Sequence, residues 1–121
     1  MKKLVLVLVV VVGIVSIFLL NEAKANFACT GKPSVHMSLQ SGTVSTNIGY
    51  GEWYLCSLRE EQGGIAPETC GKIYNGLLLA EATNQKVTIY FQGATNCASL
   101  GSWQWPSNLQ YFIDFLAGPA N

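Results

Sequence analysis

The sequence has little charge and few of the residues that catalyse reactions or bind metals. Only 12% of its 121 residues are charged, and it contains one histidine, His36, and one aspartate, Asp114. No C-x-x-C pair and no glycine-rich phosphate loop occurs. Hydrolytic catalysis requires a base beside a nucleophile or a pair of carboxylates with separated pKa values, and zinc requires a cluster of close ligands. The composition therefore predicts a protein that is not an enzyme and that holds no metal and no cofactor.

The first twenty-five residues have the three parts of an export signal. Lys2 and Lys3 give the positive start, residues 4–20 form an almost uninterrupted apolar run, and Ala23 and Ala25 are the small residues that signal peptidase requires. We expect a bacterial Sec-type signal peptide, cleaved after Ala25, and a secreted or periplasmic domain of residues 26–121. The alternative is a retained membrane anchor, because the apolar run approaches the roughly 20 residues that cross a bilayer.

The part of the chain after the signal has a weakly acidic balance. It contains six acidic residues and four scattered basic ones, Lys32, Arg59, Lys72 and Lys86. Binding to nucleic acid requires clustered lysine and arginine that displace counterions, and anionic lipid attracts similar clusters. The sequence therefore predicts no nucleic-acid partner and, after signal cleavage, no membrane partner.

All four cysteines, Cys29, Cys56, Cys70 and Cys97, lie after the signal. An even number of cysteines in an oxidising compartment predicts two disulfide bonds, and three connectivities are open. About 96 residues make one small domain with a limited apolar core, so covalent bridges would add useful stability.

Alternation of apolar and polar residues predicts five strands, over residues 34–40, 43–48, 50–58, 86–92 and 109–116. The first three should form an antiparallel meander. Residues 60–66 should form an exposed loop, and a helix should begin at Pro67 and end at Thr83 and Asn84. Gly71 and Gly76 weaken this helix, which indicates close packing against the sheet. Three strands, a helix and two strands are the element order of the OB-fold, a five-stranded Greek-key barrel.

Residues 51–92 resemble a known family. Trp53-Tyr54-Leu55-Cys56 forms an aromatic strand that ends in a cysteine, Cys70 comes fourteen residues later, and a helix then leads into the strand Val87-Thr88-Ile89-Tyr90-Phe91. In these features the chain resembles the OB-fold binding subunits of bacterial AB-type toxins, in particular those of subtilase cytotoxin and typhoid toxin. The family's C-terminal cysteine pair is absent here. With this resemblance, the expected pairing is Cys56 with Cys70 and Cys29 with Cys97.

The resemblance also implies a class of function. The toxin subunits assemble as rings of five, accompany a catalytic subunit and bind sialylated glycans, partly through a tyrosine at the end of the fourth strand. At that place this chain has Phe91, with Tyr90 beside it. The resemblance therefore implies a homo-oligomer, a pentamer in the family, that recognises a glycan or glycoprotein, together with a catalytic partner subunit.

Five aromatic residues are the candidate ligand-binding residues. Aromatic rings stack on the apolar faces of sugars and also anchor protein interfaces. The candidates are Tyr50, Trp53, Tyr90, Trp103 and Trp105. We predict a secreted, non-catalytic binding module, and the alternative is a monomeric secreted or periplasmic protein that binds or inhibits another protein. The rings could instead be structural, with one tryptophan covering the barrel mouth and another packing on a disulfide.

The polar side of the first two predicted strands is a second candidate surface. Its short hydroxyl and amide side chains suit oligosaccharide contacts on an OB-fold, but any exposed strand carries such residues. They are Ser38, Gln40, Ser41, Thr43, Ser45 and Asn47. His36 shares this side of the sheet, and we expect it to be a solvated strand residue.

Overall fold

The computed structural model describes residues 26–93, 95–106 and 109–120, and the expected signal peptide lies outside the described residues. The predicted class, mainly β with one helix, is confirmed. The strands are β1 (Phe27–Gly31), β2 (Ser34–Met37), β3 (Thr43–Asn47), β4 (Glu52–Ser57), β5 (Val87–Phe91) and β6 (Leu109–Asp114). The helix α1 (Pro67–Ala82) lies between β4 and β5, and a short 3₁₀ helix (Cys97–Leu100) precedes β6.

The described strands form two antiparallel sheets of three strands each. One sheet has the order β2-β3-β4, which confirms the predicted meander. The other has the order β1-β5-β6 and joins the start of the domain to its end. The pairing of β1 with β5 links distant parts of the chain, so this sheet could not be predicted from local alternation.

Strand β1 is absent from the sequence prediction. It covers only five residues, ends at Gly31 and is followed by Pro33, all of which weaken the local strand pattern. Its pairing with β5 stabilises it nevertheless. A Cβ at Gly31 would lie 1.8 Å from the carbonyl oxygen of Ile48, so glycine is required where β1 passes the end of β3.

The core lies between the two sheets. Trp53 of β4 and Phe91 of β5 are both fully buried, with ring centroids 5.4 Å apart in an edge-to-face arrangement. Phe91 also stacks on Phe27 of β1 at 5.1 Å. Because these rings come from both sheets, their burial joins the two halves of the domain.

Helix α1 begins and ends where the sequence predicts. Its buried residues are Cys70, Leu77 and Ala80, which cover the core. A Cβ at Gly76 would lie 2.7 Å from the Phe115 ring, so the expected close packing is confirmed there, against the segment that follows β6. At Gly71 a Cβ would meet nothing within 4 Å, so the same expectation is wrong for Gly71.

Two disulfide bonds are present, in the pairing that the toxin resemblance implies. Cys29–Cys97 links β1 to the 3₁₀ helix, and Cys56–Cys70 links β4 to α1. Such bridges fit an extracellular or periplasmic protein, because reducing compartments do not maintain them. Within the described ranges, no helix is long and apolar enough to cross a membrane.

Candidate functional site

A row of side chains crosses the outer face of the β2-β3-β4 sheet. His36 lies opposite Ser45, and Ser45 lies opposite Tyr54. Directly opposed residues of antiparallel strands project from the same face. The inner face of these strands contributes Val44 and Trp53 to the core. The row therefore lies on the side of the sheet that faces away from the core.

The carboxylate of Glu52 connects the polar residues of this face. Its Oε1 accepts hydrogen bonds from the hydroxyl of Ser45 at 2.6 Å and from Nδ1 of His36 at 2.9 Å. The carboxylate is almost completely buried, whereas the His36 side chain is 62% exposed. A buried carboxylate is stable only when it is paired and hydrogen-bonded, so these contacts are required. His36 is thus exposed, as expected, but its ring is held by Glu52 rather than free in solvent.

The loop after the 3₁₀ helix is fastened along the edge of β4 by backbone hydrogen bonds. The amide of Trp103 donates to the carbonyl oxygen of Glu52 at 2.6 Å, and the amide of Tyr54 donates to the carbonyl oxygen of Gln104 at 3.0 Å. The amide of Glu52 donates to the hydroxyl of Ser102 at 3.0 Å. The loop therefore extends the sheet beyond β4 by one parallel bridge, between Trp53 and Gln104.

This loop places two tryptophans beside Tyr54. The Trp105 ring lies 5.4 Å from the Tyr54 ring, and the Trp103 ring lies 6.1 Å from it. Trp103 is 65% exposed and Trp105 is 43% exposed. The three rings form a surface cluster, although aromatic residues of this size are usually buried more deeply.

The backbone at this loop is strained. Trp103 has φ 59°, in the left-handed region that residues other than glycine seldom adopt. Gly51 faces the loop, and a Cβ there would lie 2.9 Å from the Cβ of Ser102. Strain of this kind costs of order 1–3 kcal/mol and often occurs at functional sites. Trp103 is therefore a candidate functional residue.

We call His36, Ser45, Glu52, Tyr54, Trp103 and Trp105 the outer-face site. Its polar part lies over β2 and β3, and its rings lie over β4 and the loop. Adjacent strands are about 4.8 Å apart, so the distance from His36 to Tyr54 is about 10 Å. The site is therefore wider than a single sugar ring.

The five aromatic residues predicted from the sequence lie in three different places. Trp103 and Trp105 belong to the outer-face site. Trp53 is a core residue with 0% exposure, and its Nε1 donates to the carbonyl oxygen of Gly101 at 3.1 Å, so it offers no surface to a ligand. Tyr50 is 39% exposed and stacks on Trp53 at 6.1 Å.

Tyr90 lies on the other sheet. It packs against Phe112 at 5.3 Å, and Phe112 is 55% exposed. Tyr90 and Phe112 are paired across β5 and β6. They form a second, smaller exposed aromatic patch that is separate from the outer-face site.

Glu52 is not among the residues singled out from the sequence, whereas Tyr54 belongs to the aromatic strand described there. Alternation along β4 places Glu52 and Tyr54 on the face opposite Trp53, and that signal could have found Glu52. Nothing local could have shown that Glu52 contacts His36, since this depends on the register of three strands.

Residues of the second predicted surface lie in two places, the outer-face site and the β2-β3 turn. Ser45 lies in the outer-face site. Ser41 and Thr43 lie at the turn and hydrogen-bond each other at 2.8 Å, and the amide of Ser41 donates to the Ser38 hydroxyl. In the part of the chain that the structure describes, no group of three or more histidine, cysteine or acidic side chains is arranged to hold a metal ion.

No protein-family model, curated protein or solved structure matches this chain.

Proposed function

We propose that this protein is an exported, non-catalytic binding module that recognises a glycan or glycoprotein through the outer-face site. The observation that carries the proposal is the surface cluster of Tyr54, Trp103 and Trp105, which lies on the same face of the sheet as the exposed ring of His36. Sugar rings have apolar C–H faces and polar edges. Aromatic faces next to fixed polar groups complement both.

The hydrogen bonds within the site favour binding over hydrolysis. In serine hydrolases the serine hydroxyl donates to the imidazole that removes its proton. Here the Ser45 hydroxyl and the His36 ring both bond to the same oxygen of Glu52. Hydrolysis of glycosidic bonds by the usual route requires two carboxyl groups across the bond. Asp114, on β6, pairs with Thr88 in the other sheet.

The proposed architecture is the OB-fold barrel. Only residues 32–33 separate β1 from β2, so the two together correspond to one long first strand that is shared by both sheets. A parallel bridge between Trp53 and Gln104 lies where an OB-fold barrel closes between its third and fifth strands. OB-folds commonly bind oligosaccharides on a strand face and its neighbouring loops, as proposed here.

The proposed protein is exported by its signal peptide and acts as a homo-oligomer, for which a ring of five and a catalytic partner subunit follow from the toxin resemblance. Helix α1 supports self-association, because it carries two exposed leucines, Leu79 at 61% and Leu78 at 38%. Exposed leucines on one helix face are often covered by a second copy.

A glycan array tests the proposed function. We expect the oxidised, exported chain to bind a subset of glycans, and Trp105→Ala to weaken that binding by about tenfold or more, as for a central aromatic anchor. Phe112→Ala is the matched control, since it removes an exposed ring from the other sheet and should leave binding unchanged.

Either of two other results would contradict the proposal. Glycan binding that is lost in Phe112→Ala and kept in Trp105→Ala would assign the site to the Tyr90 patch and contradict our proposal. If no glycan binds, glycan recognition is wrong, and the monomeric protein-binding or inhibitor module becomes the leading explanation for the exposed rings.

A further inference from the structure

We infer that the outer-face site selects a neutral saccharide, whose hydroxyl groups donate hydrogen bonds, over an acidic one. The inference rests on the proposed function and adds the chemical class of the glycan. Its basis is the contact between the His36 ring and the buried carboxylate of Glu52. The toxin family that the sequence resembles binds sialylated glycans, so the structure here points to a different ligand class.

The contact determines which nitrogen of His36 carries hydrogen. A carboxylate only accepts hydrogen bonds, so Nδ1 of His36, 2.9 Å from Oε1 of Glu52, must be the donor. In the neutral imidazole the other nitrogen, Nε2, is then an acceptor. The side chain is 62% exposed, so this acceptor is available at the surface.

The hydroxyl of Ser45 is oriented in the same way. It donates to Oε1 of Glu52 at 2.6 Å, so its proton is directed into the protein. Ser45 is only 5% exposed, so the accessible acceptor beside Glu52 is Nε2 of His36. An acceptor at the surface is complementary to sugar hydroxyl groups, which donate, and not to a ligand carboxylate, which only accepts.

The negative charge of Glu52 also disfavours an acidic ligand. Among residues 26–93, 95–106 and 109–120, no lysine or arginine forms a salt bridge with Glu52, and its one ionisable partner is His36, which is neutral when Nε2 acts as an acceptor. The guanidinium of Arg59 bonds to the carbonyl oxygens of Leu39 and Gln40 at the β2-β3 turn. A sialic acid carboxylate beside the rings would face an uncompensated negative charge of low solvent exposure, where repulsion is weakly screened.

The ring cluster supplies the apolar part of recognition. Tyr54, Trp103 and Trp105 provide stacking surfaces at one end of the site, and His36 is about 10 Å away at the other. A ligand that used both ends would contain more than one sugar ring, with its chain lying across the strands.

The test uses paired glycans on one carrier, each neutral oligosaccharide beside its terminally sialylated form, for instance lactose beside sialyllactose. Binding is measured at pH 8 by biolayer interferometry. For the pairs that bind in a Trp105-dependent way, we expect the neutral member to bind about tenfold or more tightly. Glu52→Gln should reduce this preference, His36→Ala should weaken binding of the neutral member, and Glu61→Gln, in the exposed loop, should do neither.

The outcomes separate this inference from the proposed function. Trp105-dependent binding that is equal or stronger for the sialylated members would overturn the inference and leave glycan recognition supported. Absence of Trp105-dependent binding to every glycan would overturn both. If Glu52→Gln fails to fold, as circular dichroism would show, the neutral-to-sialylated ratio of the unaltered chain still decides, because it requires no variant.

Discussion

The backbone amide of Trp103 donates a hydrogen bond of 2.6 Å to the carbonyl oxygen of Glu52. The side chain of the same Glu52 holds Ser45 and His36. One residue of β4 therefore joins the ring-bearing loop to the polar part of the sheet. Because every substitution keeps the backbone carbonyl, a change of the Glu52 side chain should affect the polar part of the site, and a change of the Trp103 side chain should affect the rings.

Replacing Trp103 by glycine should remove the ring and relieve the backbone strain together. Because φ is 59° at this position, Trp103→Gly should be about 1 kcal/mol more stable than Trp103→Ala, which keeps a Cβ in the left-handed region. Urea denaturation of the two variants measures this difference. Both should lose glycan binding, since neither has the ring. Equal stability of the two variants would mean that the loop relaxes and that the strain is not maintained.

The two glycines of helix α1 should respond in opposite ways to the same substitution. Gly71→Ala should stabilise the domain by about 0.5–1 kcal/mol, because a Cβ there has open space and alanine favours the helix. Gly76→Ala should destabilise it, because the Cβ would lie 2.7 Å from the Phe115 ring. Thermal melting of both variants gives the signs. Stabilisation by Gly76→Ala would contradict the close packing of Phe115 on the helix.

The two disulfides should contribute unequally. In the chain-entropy model a bridge that closes a longer loop restricts the unfolded chain more. Replacing Cys56 and Cys70 by alanine, across a separation of 14, should cost about 3 kcal/mol. Replacing Cys29 and Cys97, across a separation of 68, should cost about 1 kcal/mol more. Denaturant midpoints under oxidising conditions measure both, and an unchanged midpoint in either variant would show that its bridge adds no stability.

The oligomeric state should depend on the exposed face of helix α1. Light scattering of the exported chain should give a mass of several protomers, and Leu79→Glu should reduce it by placing a charge in an apolar contact. Leu39→Glu is the control, because Leu39 is 82% exposed at the β2-β3 turn, away from the helix. A monomeric mass for the unaltered chain would contradict self-association and favour the protein-binding alternative.

Much of the fold follows from local sequence patterns. The bounds of α1 were predicted because proline suits the first turn and the apolar spacing persists to Ala80. The three strands β2, β3 and β4 were predicted because their alternation reflects one covered face. Strand β1 was missed, because its stability comes from pairing with β5 and not from its own residues.

The burial of the individual tryptophans does not follow from the sequence. Trp53 and Trp103 are the same residue type, yet Trp53 is fully buried and Trp103 is 65% exposed. Alternation tells which side chains of a strand share a face, but it cannot tell which face another sheet covers. For a loop residue it gives no information at all.

The strand and helix periods, the scarcity of catalytic groups and the four cysteines can all be read from the sequence, because they depend on composition and on neighbouring residues. The contact of Glu52 with His36 and the two tryptophans beside Tyr54 become visible only in the folded domain. Those contacts depend on strand register and on backbone hydrogen bonds between distant segments, which form only when the whole domain is folded.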